Sequence, residues 1–479
     1  MTGLAPQPIL AQVNDPKAIR TLRGSILGLI LVLTFEGLAR KINIHGTSVA
    51  IFLLKDFVVA FIGLQLLRLK RPQALDFLWL AYLVEIVLFL PVIVQTATND
   101  PLLAIFGAKE YLLYPIVAFA VFIAFENATV QEITVFFRWL VLLIFPTTAL
   151  ALVQLHLPAS HWLNLSVGGD SLEGFSAGGH LRVSSTFAFV AQYCCFINAE
   201  VFITIIALNN LQGVKWQSKM FYLLTVPLLI VSAYVTGSRG AVLINCLIIG
   251  LAGIFSLLKF QARSAFRIVG IAVGLLAILA LAQYLLPDAF AAYSVRQNGE
   301  MIGVTSEIQE RVYNAFFSWT QDAFTTPFLG RGLGIMSNGS ETLSAYAAAT
   351  REYSWTETDY ATTLFEGGLY LMFIWYGFRF FVIYQVTRRF LFTSKNELSV
   401  PGAFCVGYVI VIGMTATLGI QPPIAIWWWF AVGTTLLLWW KCVEPKKDGN
   451  PPETLPQTPV QMGKLRGQSS YSERLHAHQ

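Results

Sequence analysis

Arg182, Arg239, Arg311 and Arg331 each lie in, or at the edge of, a polar segment between long apolar runs. A guanidinium is a planar fork of N–H donors that matches the paired oxygens of a phosphate or diphosphate. Arg239 makes the case most sharply. It stands in VTGSRGAVL, residues 235–243, between the uncharged runs FYLLTVPLLIVSAY and INCLIIGLAGIFSLL. Gly237 and Gly240 let a ligand approach the backbone closely. Ser238 and the free N–H groups that open the following run add donors of the kind that hold anions at helix starts. A plainer reading competes: an arginine at a helix end reaches the lipid headgroups and does nothing more. Arg331 and Arg351, taken singly, suit that reading. The turn around Arg239 is too short for solvation to be its whole purpose.

The elements that must position these residues are membrane helices. Of the 479 residues, 56% are hydrophobic and 12% charged, against about a quarter charged in soluble domains. Apolar stretches of roughly 17–25 residues recur, the length that crosses a bilayer core. The expected fold is an all-α polytopic membrane protein. About twelve transmembrane helices are expected, near 24–39, 47–67, 77–95, 110–126, 138–157, 188–208, 220–237, 239–258, 268–286, 360–384, 400–419 and 424–440. Basic residues gather in alternate connections, for example Arg68, Lys70 and Arg71, Lys215 and Lys219, and Arg388, Arg389 and Lys395. The positive-inside rule puts those connections, and both termini, in the cytoplasm.

Residues 1–23 then form a cytoplasmic segment, 24–440 the membrane domain, and 441–479 a Pro-rich, charged, disordered cytoplasmic tail. No small-residue cleavage site follows the first span, which reads as uncleaved. External loops are expected at 158–187 and 287–359, the larger lying between spans nine and ten. That loop should be partly helical. Ser306-Glu307-Ile308-Gln309 is a capping-box pattern. Ile308, Val312, Phe316 and Trp319 then recur at helical spacing until TTPFLGRGLG breaks the helix.

Other chemistries find less support. Cys194, Cys195, Cys246, Cys405 and Cys442 lie mostly inside apolar runs and suggest neither a disulfide framework nor metal spacing. His156, His161 and His180 share one loop, but no HxxxH or HExxH occurs. No metal and no cofactor are expected. Gly332-Leu333-Gly334 opens no βαβ unit, so neither a nucleotide-sugar domain nor a nucleic-acid partner is expected. Glu36, Lys55, Asp56, Glu85 and Glu200 fall inside apolar runs, where ionisable groups are costly. Lys55 paired with a carboxylate of a neighbouring span is one expectation; a polar path for an ion or proton is the other.

TGSRGA at the start of a late span resembles the signature of the O-antigen ligase and polymerase superfamily. HLRVSSTFAF resembles that family's Arg-Val-x-x-Thr-Phe segment before the sixth span. ERVYNAFFSWTQDAFTTPFLGRGLG resembles its Arg-led helix followed by Pro and a glycine-rich turn. DYATTLFEGGLYLMF resembles its Tyr-x-x-x-Leu-x-Glu-x-Gly run entering the tenth span. The likeness covers roughly 110–440, and the order of motifs agrees. There is one departure: ligases of the superfamily carry a His-Asn pair ahead of that Tyr, and Glu357 fills the histidine position here. This favours a polymerase-type member over a lipid A-core ligase.

The resemblance implies a bacterial inner-membrane glycosyltransferase. An acceptor glycan hydroxyl attacks the anomeric carbon of a glycan on undecaprenyl diphosphate, and the lipid diphosphate leaves with inversion. Arg239, Arg182 and Arg311 would hold the diphosphate, with Ser238 and Arg331 beside them, each good donor supplying about 3–4 kcal/mol. Glu357, with Asp359 second, would take the hydroxyl proton, and Arg311 would act close to the reacting atoms. The alternative for Glu357 is a solvated carboxylate or a partner of Arg351; for Glu366 it is a brace for span ten. The implied partners are the lipid-linked donor, the glycan acceptor, membrane lipid, and flippase and chain-length regulator proteins. Two rival classes remain: a secondary transporter of a small anion, and a non-enzymatic component of polysaccharide assembly. Transporters build midplane sites from broken helices and repeated halves; no repeated halves are visible here.

Overall fold

The computed structural model describes residues 15–42, 47–169, 181–209, 211, 213–259, 319–352, 358–393 and 398–443, with scattered single positions between 270 and 317. The principal helices are α1 (Pro16–Ile42), α2 (Ser48–Leu66), α3 (Asp76–Asn99), α4 (Pro101–Leu112), α5 (Ile116–Phe125), α6 (Val130–Leu140) and α7 (Ile144–Leu155). They continue with α8 (Val190–Ala207), α9 (Trp216–Leu223), α10 (Thr225–Val235), α11 (Arg239–Leu258), α12 (Asp359–Leu391), α13 (Ser399–Thr415) and α14 (Pro422–Val443). Among the described residues, nine spans are long and apolar enough to cross a membrane, or ten if the bent pair α4–α5 is counted. The apolar helix α13 is shorter than these. The span expected near 268–286 lies largely outside the described residues.

Local chemistry explains where the boundaries differ from expectation. Span four starts at Pro101 rather than near 110, because Asp100 caps it by accepting from the N–H groups of Leu102 and Leu103 at 2.9 and 3.1 Å. Asp before Pro at the first helical position is a strong start signal. The fifth span begins at Val130 rather than near 138. Thr129 and Glu132 form a reciprocal capping box there, and α6 runs through a 3₁₀ turn into α7. The α4–α5 pair bends by 41° ahead of Pro115, which has no N–H to continue the ladder.

The ends of the bundle sort consistently. Arg23 donates to the Ala124 carbonyl, Arg138 to that of Ala207 and Lys441 to that of Glu126, so these groups share one end. Leu38 donates to Thr186, Lys41 to Leu163 and Gln95 to Gly330 at the other, the loop end. Helix α11 finishes beside Phe390, at the Arg23 end, whereas the Pro327–Gly332 region meets α12 at the loop end. The end of α11 and the Pro327–Gly332 region thus lie at opposite ends of the bundle.

The core is built around α14, which packs along α5, α13 and α8 with Trp427, Trp428 and Trp429 buried. Leu80, Val87, Leu247 and Phe373 stay exposed, as side chains facing lipid do. Between α1, α2 and α4 lies a buried ionic cluster. Lys55 meets Glu36 at 3.1 Å, Arg40 meets Glu36 at 3.4 Å, and Lys109 bridges Asp56 and Glu110. Tyr114 donates to Asp56 at 2.8 Å. The internal-pair expectation for Lys55 thus holds. Removing one member of a buried pair strands the other, at about 3–5 kcal/mol. Lys55→Met should lower thermal stability in detergent by that order, and Lys55→Met with Glu36→Met should recover much of it. A single variant as stable as wild type would refute the pairing energetics.

Candidate functional site

Helix α12 is broken. Gly368 has φ 63° and ψ −165°, dividing Asp359 and its following turns from a second arm that ends at Leu391. In a straight helix Asp359 and Arg379 would stand about 30 Å apart. Instead they form an ion pair, and Tyr360 stacks on Tyr376 with ring centroids 4.2 Å apart. The first arm therefore folds back along the second, and the chain reverses at Gly368. The second arm alone rises about 34 Å, enough to cross a bilayer. Span ten, expected from 360, is thus a short arm followed by the crossing helix.

A helix reversal frees backbone groups, and the glycine-rich loop takes them up. Arg331 N–H donates to the Phe365 carbonyl at 2.9 Å and Gly332 N–H to that of Glu366 at 2.9 Å. Tyr370 N–H donates to the Phe328 carbonyl at 3.2 Å. The fit leaves no room for a side chain: a Cβ on Gly368 would fall 2.2 Å from the Phe328 oxygen. The loop is also wedged against α4, where a Cβ on Gly107 would fall 2.4 Å from the Leu333 carbonyl carbon. Leu333 N–H donates to Thr96 Oγ1 at 2.8 Å, fixing the same loop to α3.

Beside this reversal lies a buried polar cluster. Glu366 is fully buried and accepts from Tyr111 Oη at 2.8 Å and from Met336 N–H at 2.9 Å. Asp359 accepts from Arg379, from Tyr376 Oη at 2.6 Å and from Gly419 N–H at 3.4 Å. Arg379 also holds the Gly413 carbonyl at 2.6 Å. The side chains of Thr363 and Ser337 carry buried oxygens with no partner among the described residues.

The arginines distribute over two neighbourhoods. Arg182 begins the RVSST segment, whose Ser185 N–H donates to Gln154 Oε1 at 2.7 Å. Arg239 is the first residue of α11, and Ser238 caps that helix by accepting from Ala241 N–H at 3.4 Å. The RVSST segment leads into α8, and α10 and α11, which flank the TGSRG turn, both pack against α8. Gly237 has φ 61°, a left-handed conformation that suits glycine. Arg331 makes its contacts in the hairpin, pairing with Glu352 at 2.9 Å and covering the Phe365 ring. Arg351 pairs with Glu341 at 3.2 Å. Arg311 and Glu357 lie outside the described residues, as does His180.

Sequence reasoning missed Tyr111, Arg379 and the reversal itself. Arg379 was discoverable as one more charge inside an apolar run, and the Gly367-Gly368 pair was a signal of a backbone special. Among the described residues no group of His, Cys, Asp and Glu could hold a metal ion. No family model matches the chain, and no curated protein matches it.

Two outcomes follow from this geometry. Glu366→Ala leaves a buried hydroxyl and a buried N–H without an acceptor and should cost about 2–5 kcal/mol, read by thermal unfolding. Glu366→Gln keeps an oxygen for Met336 and should cost about 1 kcal/mol; equal losses for the two variants would contradict the bonding described. Asp100, between α3 and α4, is held below the usual carboxylate range, chiefly by the Ser344 hydroxyl and then by Leu103 N–H. A folded-state value below the unfolded one stabilises above the unfolded pKa and is lost as pH falls through the folded one. Acidification below the carboxylate range should therefore lower the hydrogen-exchange protection factors at Leu102 and Leu103, taken relative to the intrinsic rate at each pH, and Asp100→Asn should remove that pH dependence.

Proposed function

We propose that the chain transfers or polymerises glycan units carried on a polyprenyl diphosphate, inverting the anomeric carbon, at the loop end of the membrane domain. One observation carries the reading. RVSST leads into α8 and TGSRG joins α10 to α11, both of which pack against α8, so Arg182 and Arg239 are presented at the same end of the bundle. A diphosphate leaving group gains charge as the glycosidic bond breaks, and preorganised guanidinium donors lower that barrier most effectively. Arg239 and Arg182, with Arg311, take the diphosphate; Ser238 keeps the Arg239 turn in shape by capping α11. Arg331 is stacked and paired at the hairpin, where it orients the loop beside the site. Glu357 takes the acceptor hydroxyl proton. Asp359 is engaged by Arg379 and Tyr376, so its role in this reading is to position the short arm of α12.

The resemblance to polymerase-type members sets the biological expectation: a bacterial inner-membrane enzyme of O-antigen, capsule or exopolysaccharide synthesis, working with a glycan acceptor, flippase and chain-length regulators. A second reading draws on the reversal in α12, because broken helices in membranes also build transporter sites. Uptake of a labelled small anion by reconstituted protein would favour that reading.

Deletion of the gene and analysis of surface glycan separates the enzyme classes. Loss of long chains with single repeats retained indicates a polymerase; loss of all glycan from one carrier indicates a ligase. Arg239→Ala should reduce polymer formation by about 10²–10³-fold with membrane protein levels unchanged. Full-length glycan in that variant would sink the assignment.

A further inference from the structure

Helices α3 and α12 are pinned together at two places and part between them. At one end the Phe77 and Phe381 rings meet with centroids 6.4 Å apart, and the Arg389 guanidinium covers Phe77. At the other, Tyr370 Oη donates to the Leu88 carbonyl at 2.9 Å. Between the pins lies a groove of about 570 Å³, a volume that suits one small ligand. Gly377 lines it, and a Cβ there would meet nothing within 4 Å. Leu80 and Phe373 line it too and are exposed, so the groove opens sideways toward lipid.

One lining residue is out of keeping with the rest. Glu85 is only 2% exposed, and both of its carboxyl oxygens are buried with no hydrogen-bond partner among the described residues. None of the other described lining residues is polar. Tyr82, nearby on α3, commits its hydroxyl to the Leu112 carbonyl. A carboxyl group in hydrocarbon with no cation beside it is accommodated as the neutral acid. That acid has one O–H to donate and oxygens that accept. Leaving them unmatched costs free energy, which a ligand hydroxyl would recover.

Depth selects the ligand. Helix α3 runs from Asp76 to Asn99, so Glu85 stands about 13 Å from one end and about 21 Å from the other. A charged headgroup stays at the bilayer boundary, because charge at that depth is costly. The Phe77–Phe381 contact also closes the nearer end of the groove. A polar group that reaches Glu85 is therefore uncharged and arrives from the side. We propose that the groove between α3 and α12 binds an uncharged long-chain alcohol of the bilayer, its hydroxyl exchanging hydrogen bonds with Glu85 and its chain lying along the apolar walls. The site is separate from the glycan-transfer reading and does not rest on it.

The test uses full-length protein in phosphatidylcholine nanodiscs, photolabelled with hexadecanol that carries a mid-chain diazirine and mapped by mass spectrometry. Labels should fall on α3 between Phe77 and Leu88 and on α12 between Phe373 and Phe381. Unlabelled hexadecanol should displace them about ten- to a hundredfold better than hexadecane. Glu85→Leu should fold, since it replaces an unmatched acid with an apolar side chain, and should abolish that preference. Glu85→Gln, which keeps a donor and an acceptor, should retain it. Gly377→Leu should fill the groove and remove the labelling. Equal displacement by hexadecane in wild type, or an unchanged preference in folded Glu85→Leu, overturns the proposal and leaves the groove to ordinary lipid tails. Hexadecylamine that displaces the label better than the alcohol overturns it in favour of a cationic occupant. Cross-links between copies through Gly377→Cys, without labelling by the alcohol, overturn it in favour of a second copy. Should Glu85→Leu fail to fold, Gly377→Leu decides, and unchanged labelling in that variant overturns the site.

Discussion

A helix that reverses inside a membrane domain must find new partners for the backbone groups it frees, because hydrocarbon offers none. Here the reversal at Gly368 is satisfied by a loop: Phe365 and Glu366 carbonyls take the N–H groups of Arg331 and Gly332, and Phe328 takes that of Tyr370. Each such group left unpaired would cost several kcal/mol. The loop is therefore part of the membrane domain's hydrogen-bonding scheme, although it lies between spans. Everything nearby depends on this stitch. Glu366 sits where it can accept from Met336 of the loop and Tyr111 of α4 only because loop and hairpin are joined. The glycines at 107, 330 and 368 follow from the same close approach.

Charge is handled by the same logic of mutual satisfaction. Glu36, Arg40, Lys55, Asp56, Lys109 and Glu110 contribute equal numbers of acids and bases to one buried cluster. The pair Asp359–Arg379 neutralises the inner end of the hairpin. Such balance serves the fold. At Lys41 and Arg182, which meet no carboxylate among the described residues, backbone and hydroxyl contacts hold both segments.

The apolar spans were legible because a bilayer imposes length and hydropathy on any helix that crosses it. Lys55 was legible as a pair because an isolated charge there would be costly. The reversal was not, because Gly367-Gly368 inside LFEGGLYLMF keeps the hydropathy of an uninterrupted span, and the partners that permit the break come from about forty residues earlier. Starts of helices moved for a related reason: Asp100 and Thr129 cap them from within stretches that hydropathy alone reads as connection. Lys41 was hidden among span-end basic residues, where snorkelling explains most lysines; its bonds to the Leu163 carbonyl and Ser184 Oγ join segments far apart in sequence. The arginine motifs were found from sequence, but their meeting at α8 is a tertiary fact.

The depth of the hairpin bears on which reading of the site is physically sounder. In a transporter built from broken helices, the positive end of a half-helix faces the anionic substrate. The short arm of α12 has such an end, at Asp359. That end already carries a carboxylate, held by Arg379, by Tyr376 and by the Gly419 N–H. A second anion there would find the Arg379 charge already neutralised by Asp359 and the nearby donors already engaged. Lys41 and Arg182, which meet no carboxylate among the described residues, lie elsewhere, on the segments around α1 and α8 at the loop end. That placement suits a phosphate head anchored by its own lipid chain better than a small solute that must pass through.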